Sequence, residues 1–426
     1  MFAAEPRCEL TSSKLQDGTV NLTGANNASG AFTTGTLQIG NGTGTATVQF
    51  ASAANLPASS SAINLDGGSL AYVGSASATV VNPVTLSGAG DTVDGGGLSG
   101  SSTLTIASEI NGPATTTLKL TDGNIDIAGN DSAFTGSLII GGSTKPTTVS
   151  IDAGAILPGG GIAIDNGTLR NNTGGATTIT NAVALGSAGG TVDTNSQTIN
   201  LIGAISGAGG LTITGGGIAN LAGPATYTGQ TSIQSGTLTI GSGGTITGTS
   251  ALTIASGATL NLANTAMGNG MTINYGSGAS PNSTIQNYIA GGAITVPTGY
   301  AVGYANGADG VVSGLGVGQE KIMATLPGDA NLDGVVNNTD LALVLNNLNQ
   351  SSGGLWTKGD FTGSGTVTNV DLAIVLNNLN RSISTTTTAS ATVKYTSVPE
   401  PAALVLLSMA GALSLLQRRR LPKTRR

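Results

Sequence analysis

From Gly18 to about Gly299, apolar and small polar residues alternate in short runs. Examples are Thr36-Leu37-Gln38-Ile39, Thr103-Leu104-Thr105-Ile106, Leu211-Thr212-Ile213-Thr214 and Ala258-Thr259-Leu260-Asn261-Leu262. A period of two in windows rich in Thr, Val and Ile puts every second side chain on one face, which is the pattern of a half-buried strand. Gly-Gly, Asn-Gly, Asp-Gly and Ser-Gly pairs punctuate the runs and read as turns. The pattern predicts strands throughout this stretch and no helix.

The strands belong to long degenerate repeats. Asn82-Pro83-Val84-Thr85-Leu86-Ser87-Gly88-Ala89-Gly90 returns as Asn181-Ala182-Val183-Ala184-Leu185-Gly186-Ser187-Ala188-Gly189, with Asp66-Gly67-Gly68-Ser69-Leu70 answered by Asp165-Asn166-Gly167-Thr168-Leu169. Ile127…Phe134-Thr135-Gly136 faces Leu221…Tyr227-Thr228-Gly229, and Leu22 to Gly30 is an earlier copy of that element. Strands this short, joined by tight turns, fit a solenoid in which each coil hydrogen-bonds to the coils above and below it. A β-sandwich is the competing all-β layout, though its two-sheet core would call for larger aromatic side chains.

Composition supports the small-side-chain solenoid. The 426 residues include 68 Gly and 13 Pro, with 8 % charged and 3 % aromatic, which excludes coiled coils and helix bundles. Histidine is absent, so imidazole chemistry and His-ligated zinc are excluded. Cys8 is the single cysteine, so no disulfide framework exists. The net charge is −6, and six of the 15 cations lie at 418–426, leaving nine against 21 acidic groups in residues 1–417. A body that acidic does not bind nucleic acid by counterion release, and cations are its natural partners.

Residues Gly207 to Leu238 (Gly-Ala-Gly-Gly-Leu-Thr-Ile…Leu-Ala-Gly-Pro-Ala-Thr-Tyr-Thr-Gly-Gln-Thr-Ser-Ile-Gln-Ser-Gly-Thr-Leu) resemble the autotransporter-associated β-strand repeat, with fainter copies around 127–140 and 22–37. The resemblance implies a right-handed parallel β-helix outside the cell. Some polysaccharide-degrading enzymes are also β-helices, and a catalytic site there needs carboxylates and cations clustered on one face. Asp122 and Asp126 read as two alternations apart on one strand, Asp91 and Asp94 as bracketing a turn, and most of these Asp residues as turn formers. The expectation is no enzymatic activity.

After Leu326-Pro327 the pattern changes. Asp329-Ala330-Asn331-Leu332-Asp333-Gly334-Val335-Val336-Asn337-Asn338-Thr339-Asp340 carries oxygen-bearing side chains at loop positions 1, 3, 5, 9 and 12 and Gly at 6. Ca²⁺ takes six to eight oxygens at about 2.3–2.6 Å, and this alternation wraps them round one ion. Asp329, Asn331 and Asp333 are expected as direct ligands, Val335 through its carbonyl, Asn337 through water, with Asp340 closing the loop. An apolar helix follows from Leu341. The unit recurs as Asp360-Phe361-Thr362-Gly363-Ser364-Gly365-Thr366-Val367-Thr368-Asn369-Val370-Asp371 and a near-identical helix. Its ligand positions are Asp360, Thr362, Ser364, Thr366, Thr368 and Asp371; with only two carboxylates, it is expected to bind more weakly.

Two loop–helix units with Asp at position 12 and Asp-Leu opening the helix resemble a type I dockerin domain. The resemblance implies calcium-dependent folding, a cohesin-like partner or surface scaffold, and recognition positions at Asn338-Thr339 and Asn369-Val370.

The tail continues with a Thr/Ser linker, Val398-Pro399-Glu400-Pro401, an apolar run Ala402–Leu416 and Arg418-Arg419-Arg420. Fifteen residues span about 22 Å as a helix, short of a 30 Å hydrocarbon core, and the basic cluster marks a cytoplasmic end. The order resembles the PEP-CTERM sorting signal. It implies an exosortase-type processing enzyme, cleavage near 398–401 and an exopolysaccharide-making Gram-negative envelope. Met1 to Leu10 lacks the basic and apolar regions of a secretory signal, so an exported chain is expected to have a different true start.

The expected organisation is therefore a β-helical region 1–300, a connector 301–326, a small all-α calcium-loop domain 327–381, a linker 382–397 and a C-terminal transmembrane sorting segment 398–426. Function is expected to be structural or adhesive at the cell surface or in an extracellular matrix. The alternative is a polysaccharide-binding or polysaccharide-degrading component carrying a dockerin.

Overall fold

The computed structural model describes residues 13–22, 35–42, 46–143, 145–266 and 269–383. Cys8, the Thr/Ser segment from Ser384, the Pro-Glu-Pro motif, the apolar run and the Arg cluster lie outside these residues. No helix among the described residues is long and apolar enough to cross a membrane.

The alternating runs form a parallel β-solenoid of about 11 turns. Each strand pairs with the equivalent strand one coil away, which excludes the sandwich. The inward ladder on one face is Val48, Leu70, Val93, Leu120, Ile140, Ile164 and Leu185, each in register with the next. All of them are fully buried. Stacking like on like lets aliphatic side chains of similar volume fill a narrow core at interior density, so few aromatics are needed. Outward positions form matching polar ladders, such as Thr168, Thr191, Thr212, Ser232 and Thr253.

One face is a 14-stranded sheet, a second has nine strands, and the third is split into sheets of five and six. The split falls between Ile110–Asn111 and Thr177–Ile179. There the buried Phe134 fills the core, and single bridges join Gly112 to Phe134 and Asn130 to Ile156. The Asp131 carboxylate takes the Ile110 N–H at 2.8 Å, replacing the missing neighbour strand.

This interruption rotates the sequence repeat by one face. Val84–Leu86 lies in the five-stranded sheet, whereas its counterpart Val183–Leu185 lies in the 14-stranded one; Asp91–Asp94 and Gly190–Asp193 shift likewise, from the 14-stranded to the nine-stranded sheet. Local chemistry is retained. The Asn82 amide donates to the Ser61 carbonyl at 2.9 Å, and the Asn181 amide to that of Pro158 at 2.7 Å. Gly67 and Asn166 both turn the corner in the left-handed region, at φ 76° and 56°.

Three expectations are corrected. Asp91 and Asp94 are the two ends of one strand rather than the flanks of a turn, and Asp122 sits at a corner with φ 53°, off the strand Gly123–Ile127 that carries Asp126. A helix also occurs before residue 300: α1, Asn282–Ala290, buries Ile285. Its Ile285, Tyr288 and Ile289 follow helical spacing, but nine residues are too few to stand out against a strongly alternating background.

The solenoid closes with a hairpin. Ala301–Asn306 and Gln319–Thr325 pair antiparallel, and Gln319–Ile322 also pairs antiparallel with Met271–Asn274. The segment expected as a connector thus covers the open edge of the 14-stranded face, where unpaired backbone groups would invite another chain.

Candidate calcium-loop pair

Asp329 follows the last hairpin strand by a single turn, its N–H bonded to the Leu326 carbonyl at 3.1 Å. The loop is folded by its own acidic side chains. Asp329 Oδ1 accepts the Asp333 N–H at 3.1 Å and Oδ2 the Gly334 N–H at 2.9 Å. Asp340 Oδ1 accepts from Ala330 at 2.9 Å and its Oδ2 from Asn337 at 2.8 Å. Helix α2, Asn338–Asn347, is opened by a capping box between Asn337 and Asp340, and the Asn337 amide oxygen also takes the Thr339 N–H at 2.6 Å. Asn337 is therefore engaged as a cap, which satisfies an otherwise unpaired helix donor.

The second unit repeats this plan, except that its closing carboxylate takes the N–H of loop position 3 rather than that of position 2. Asp360 accepts from Ser364 N–H at 3.0 Å and Gly365 N–H at 2.8 Å, Asp371 accepts from Thr362 N–H at 3.0 Å and Thr368 N–H at 2.9 Å, and α3 spans Asn369–Asn378 with a Thr368 cap. The units interlock. Val336 exchanges backbone bonds with Arg381 and Asn380, and Val367 with Gln350 and Asn349. Ser382 and Ile383, expected in the linker, continue this pairing against Val335 and Gly334.

The donor set of the first loop fits calcium. Asp329 and Asp340 are fully buried, yet the ion pairs among the described residues, Lys145–Asp122 and Arg170–Asp193, lie elsewhere. Burial, together with the neighbouring Asp340 and Asp333 charges, pushes the Asp329 carboxyl up to about 6, and burial also raises that of Asp340. Gathered carboxylates without a cationic side chain are what a hard divalent cation compensates. The three acidic side chains do not converge as a preformed metal cluster among the described residues; their oxygens accept from backbone N–H groups, from the Thr325 hydroxyl and from the Asn331 amide. Asn331 donates to Asp333 at 2.8 Å, and the Val335 N–H is held by Asp333 Oδ1 at 2.9 Å.

The second loop satisfies itself more fully. The Thr362 hydroxyl lies 3.2 Å from Asp360 and 3.1 Å from Asp371, and the Ser364 hydroxyl donates to the Thr366 carbonyl at 2.8 Å. Hydroxyls thus stand where the first loop has Asn331 and Asp333.

Residues 327–380 match the dockerin type I domain family. The match covers both loops and both helices of a calcium-dependent docking module. No curated protein and no solved structure matches the chain.

Sequence reasoning missed the contacts that seat this module on the solenoid. The buried Thr325 donates its hydroxyl to Asp329 Oδ2, and the Trp356 indole donates to the Asp329 carbonyl at 2.6 Å. The one legible signal was at loop position 4, where Gly363 in the second copy is replaced by Leu332 in the first.

Proposed function

We propose that this is an exported structural protein of the cell surface or extracellular matrix. The solenoid acts as a spacer, and residues 327–383 dock it, in the presence of calcium, onto a cohesin-like partner or surface scaffold. The carrying observation is the duplicated unit with a repeated apolar exposure: Leu345 on α2 and its equivalent Leu376 on α3 are each 50 % exposed, with Val370 at 60 %. Asn338 and Thr339 open α2 at the surface, as Asn369 and Val370 open α3. Apolar side chains of this size left in water beside polar helix starts suit a protein partner.

When bound, calcium supplies charge neutralisation for the buried carboxylates. Asp329, Asn331, Asp333 and the Val335 carbonyl would hold it, with Asp340 closing the loop and capping α2. The resemblance of 207–238 to autotransporter-associated repeats supports an extracellular solenoid. The Pro-Glu-Pro motif, apolar run and Arg cluster support sorting by an exosortase-type enzyme, with exopolysaccharide as the surrounding matrix; these two readings rest on sequence alone.

A non-catalytic role is supported by the outer surface. A groove of about 470 Å³ on the nine-stranded face is lined by Thr168, Thr191, Thr212, Ser232, Asn166, Gln230 and glycines, with no charged side chain. The polysaccharide reading keeps one foothold beside it, the register row Asp126, Ser150, Arg170 and Asp193, in which all but Arg170 are buried. Incubating the chain with acidic and neutral polysaccharides and assaying for new reducing ends or unsaturated products tests that alternative.

The docking reading is tested by pull-down of the full chain on a panel of immobilised cohesin domains, in calcium and in chelator. Capture in calcium, lost in chelator and in a Leu345→Asp/Leu376→Asp variant, is expected. A folded chain that no cohesin captures in calcium would sink it.

A further inference from the structure

Loop position 4 requires the left-handed backbone in both copies. Gly363 adopts it at φ 66°, where nothing crowds a glycine; Leu332 adopts it at φ 56°. A residue with a Cβ is disfavoured there, so the first loop carries strain that the second avoids. The Leu332 side chain explains the choice. It is 5 % exposed and belongs to the continuous apolar core of the solenoid rather than to the module's own small core.

Its seat is made by Gly303 in the first hairpin strand. A Cβ at Gly303 would lie 2.5 Å from Leu332 Cδ2 and 2.7 Å from Thr325 Cγ2. Gly303 does not need glycine for its backbone angle; the missing side chain is what admits Leu332. Trp356, also part of the solenoid core, closes the niche and bonds the Asp329 carbonyl, while Tyr304 of the hairpin donates to the Gly354 carbonyl.

From this we infer that occupancy of the first calcium loop and closure of the solenoid's C-terminal cap are one coupled equilibrium. The inference rests on the calcium reading of the loop. An ion that fixes Asp329, Asn331 and Asp333 fixes Leu332 between them, and Leu332 seals the hairpin. By linkage the closed hairpin equally favours the calcium-ready loop. The second loop, with Gly363 at that position, has no such contact, so the two loops are unequal in role as well as in ligands.

The test is hydrogen exchange on the full chain, with calcium and with chelator, read in hairpin peptides 301–306 and 319–325 and in α2. Calcium is expected to slow exchange in both regions, by about tenfold in the hairpin, within the usual range of coupling between sites. In Leu332→Gly, whose ligands are intact, α2 should still respond to calcium and the hairpin should not. A wild-type chain in which α2 responds and the hairpin does not overturns the coupling and leaves the calcium reading standing. No response in either region overturns both.

Discussion

The indole N–H of Trp356 reaches the main-chain carbonyl of Asp329 at 2.6 Å, across 27 residues of sequence. The segment between the two loops is thereby tied to the first residue of the first loop. Both groups are buried, so Trp356→Phe leaves a carbonyl without its partner. The substitution is expected to destabilise the chain by about 1–3 kcal/mol and to weaken calcium binding at the first loop, as read by thermal melts in chelator and by calorimetric titration.

The two loops should separate in a calcium titration. Asp329→Asn is expected to abolish the tighter binding event, whereas Asp360→Asn leaves it in place and removes at most the weaker one. Chelation should lower the melting temperature of the wild type more than that of Asp329→Asn. Equal effects of the two substitutions would contradict the ranking drawn from the carboxylate count.

Glu320 links stability to pH. Its side chain is fully buried in the closing hairpin and accepts the Asn306 amide at 2.9 Å; burial, with a smaller contribution from Asp309, pushes its carboxyl from 4.5 up to about 8. The folded state therefore holds a proton that the unfolded state has released. Its contribution is complete below 4.5 and is lost as pH rises through about 8. Stability should decline between about pH 5 and pH 9 by about 4 kcal/mol, and Glu320→Gln should flatten the decline. Denaturant midpoints measured across that range check it.

Corner glycines should differ by their surroundings. Gly141 and Gly154 share a left-handed φ, at 92° and 85°, but a Cβ on Gly141 meets the Asp165 carbonyl oxygen at 2.3 Å, whereas one on Gly154 meets nothing within 4 Å. Gly154→Ala is expected to cost about 1–2 kcal/mol from backbone conformation alone. Gly141→Ala should cost clearly more, because a backbone atom of the next coil must move. Chemical denaturation of the two variants side by side measures the difference.

The strands, the solenoid and both loop–helix units were legible in the sequence, because each is written locally. Alternation fixes which side chains face inward, and the spacing of Asp, Asn and Gly fixes where each loop turns into its helix. The face on which each repeat falls was not legible. It changes where Phe134 and Asp131 replace a strand, and that exchange depends on neighbouring coils. Nor was the seating of the module: nothing in the sequence marks Gly303 as the seat of Leu332. The sequence by itself determined the elements and the ligand-bearing loops, through short-range periodicity and spacing. Only the tertiary structure decided that the hairpin caps the solenoid and that the first loop is strained to grip it, because those choices depend on burial between segments distant along the chain.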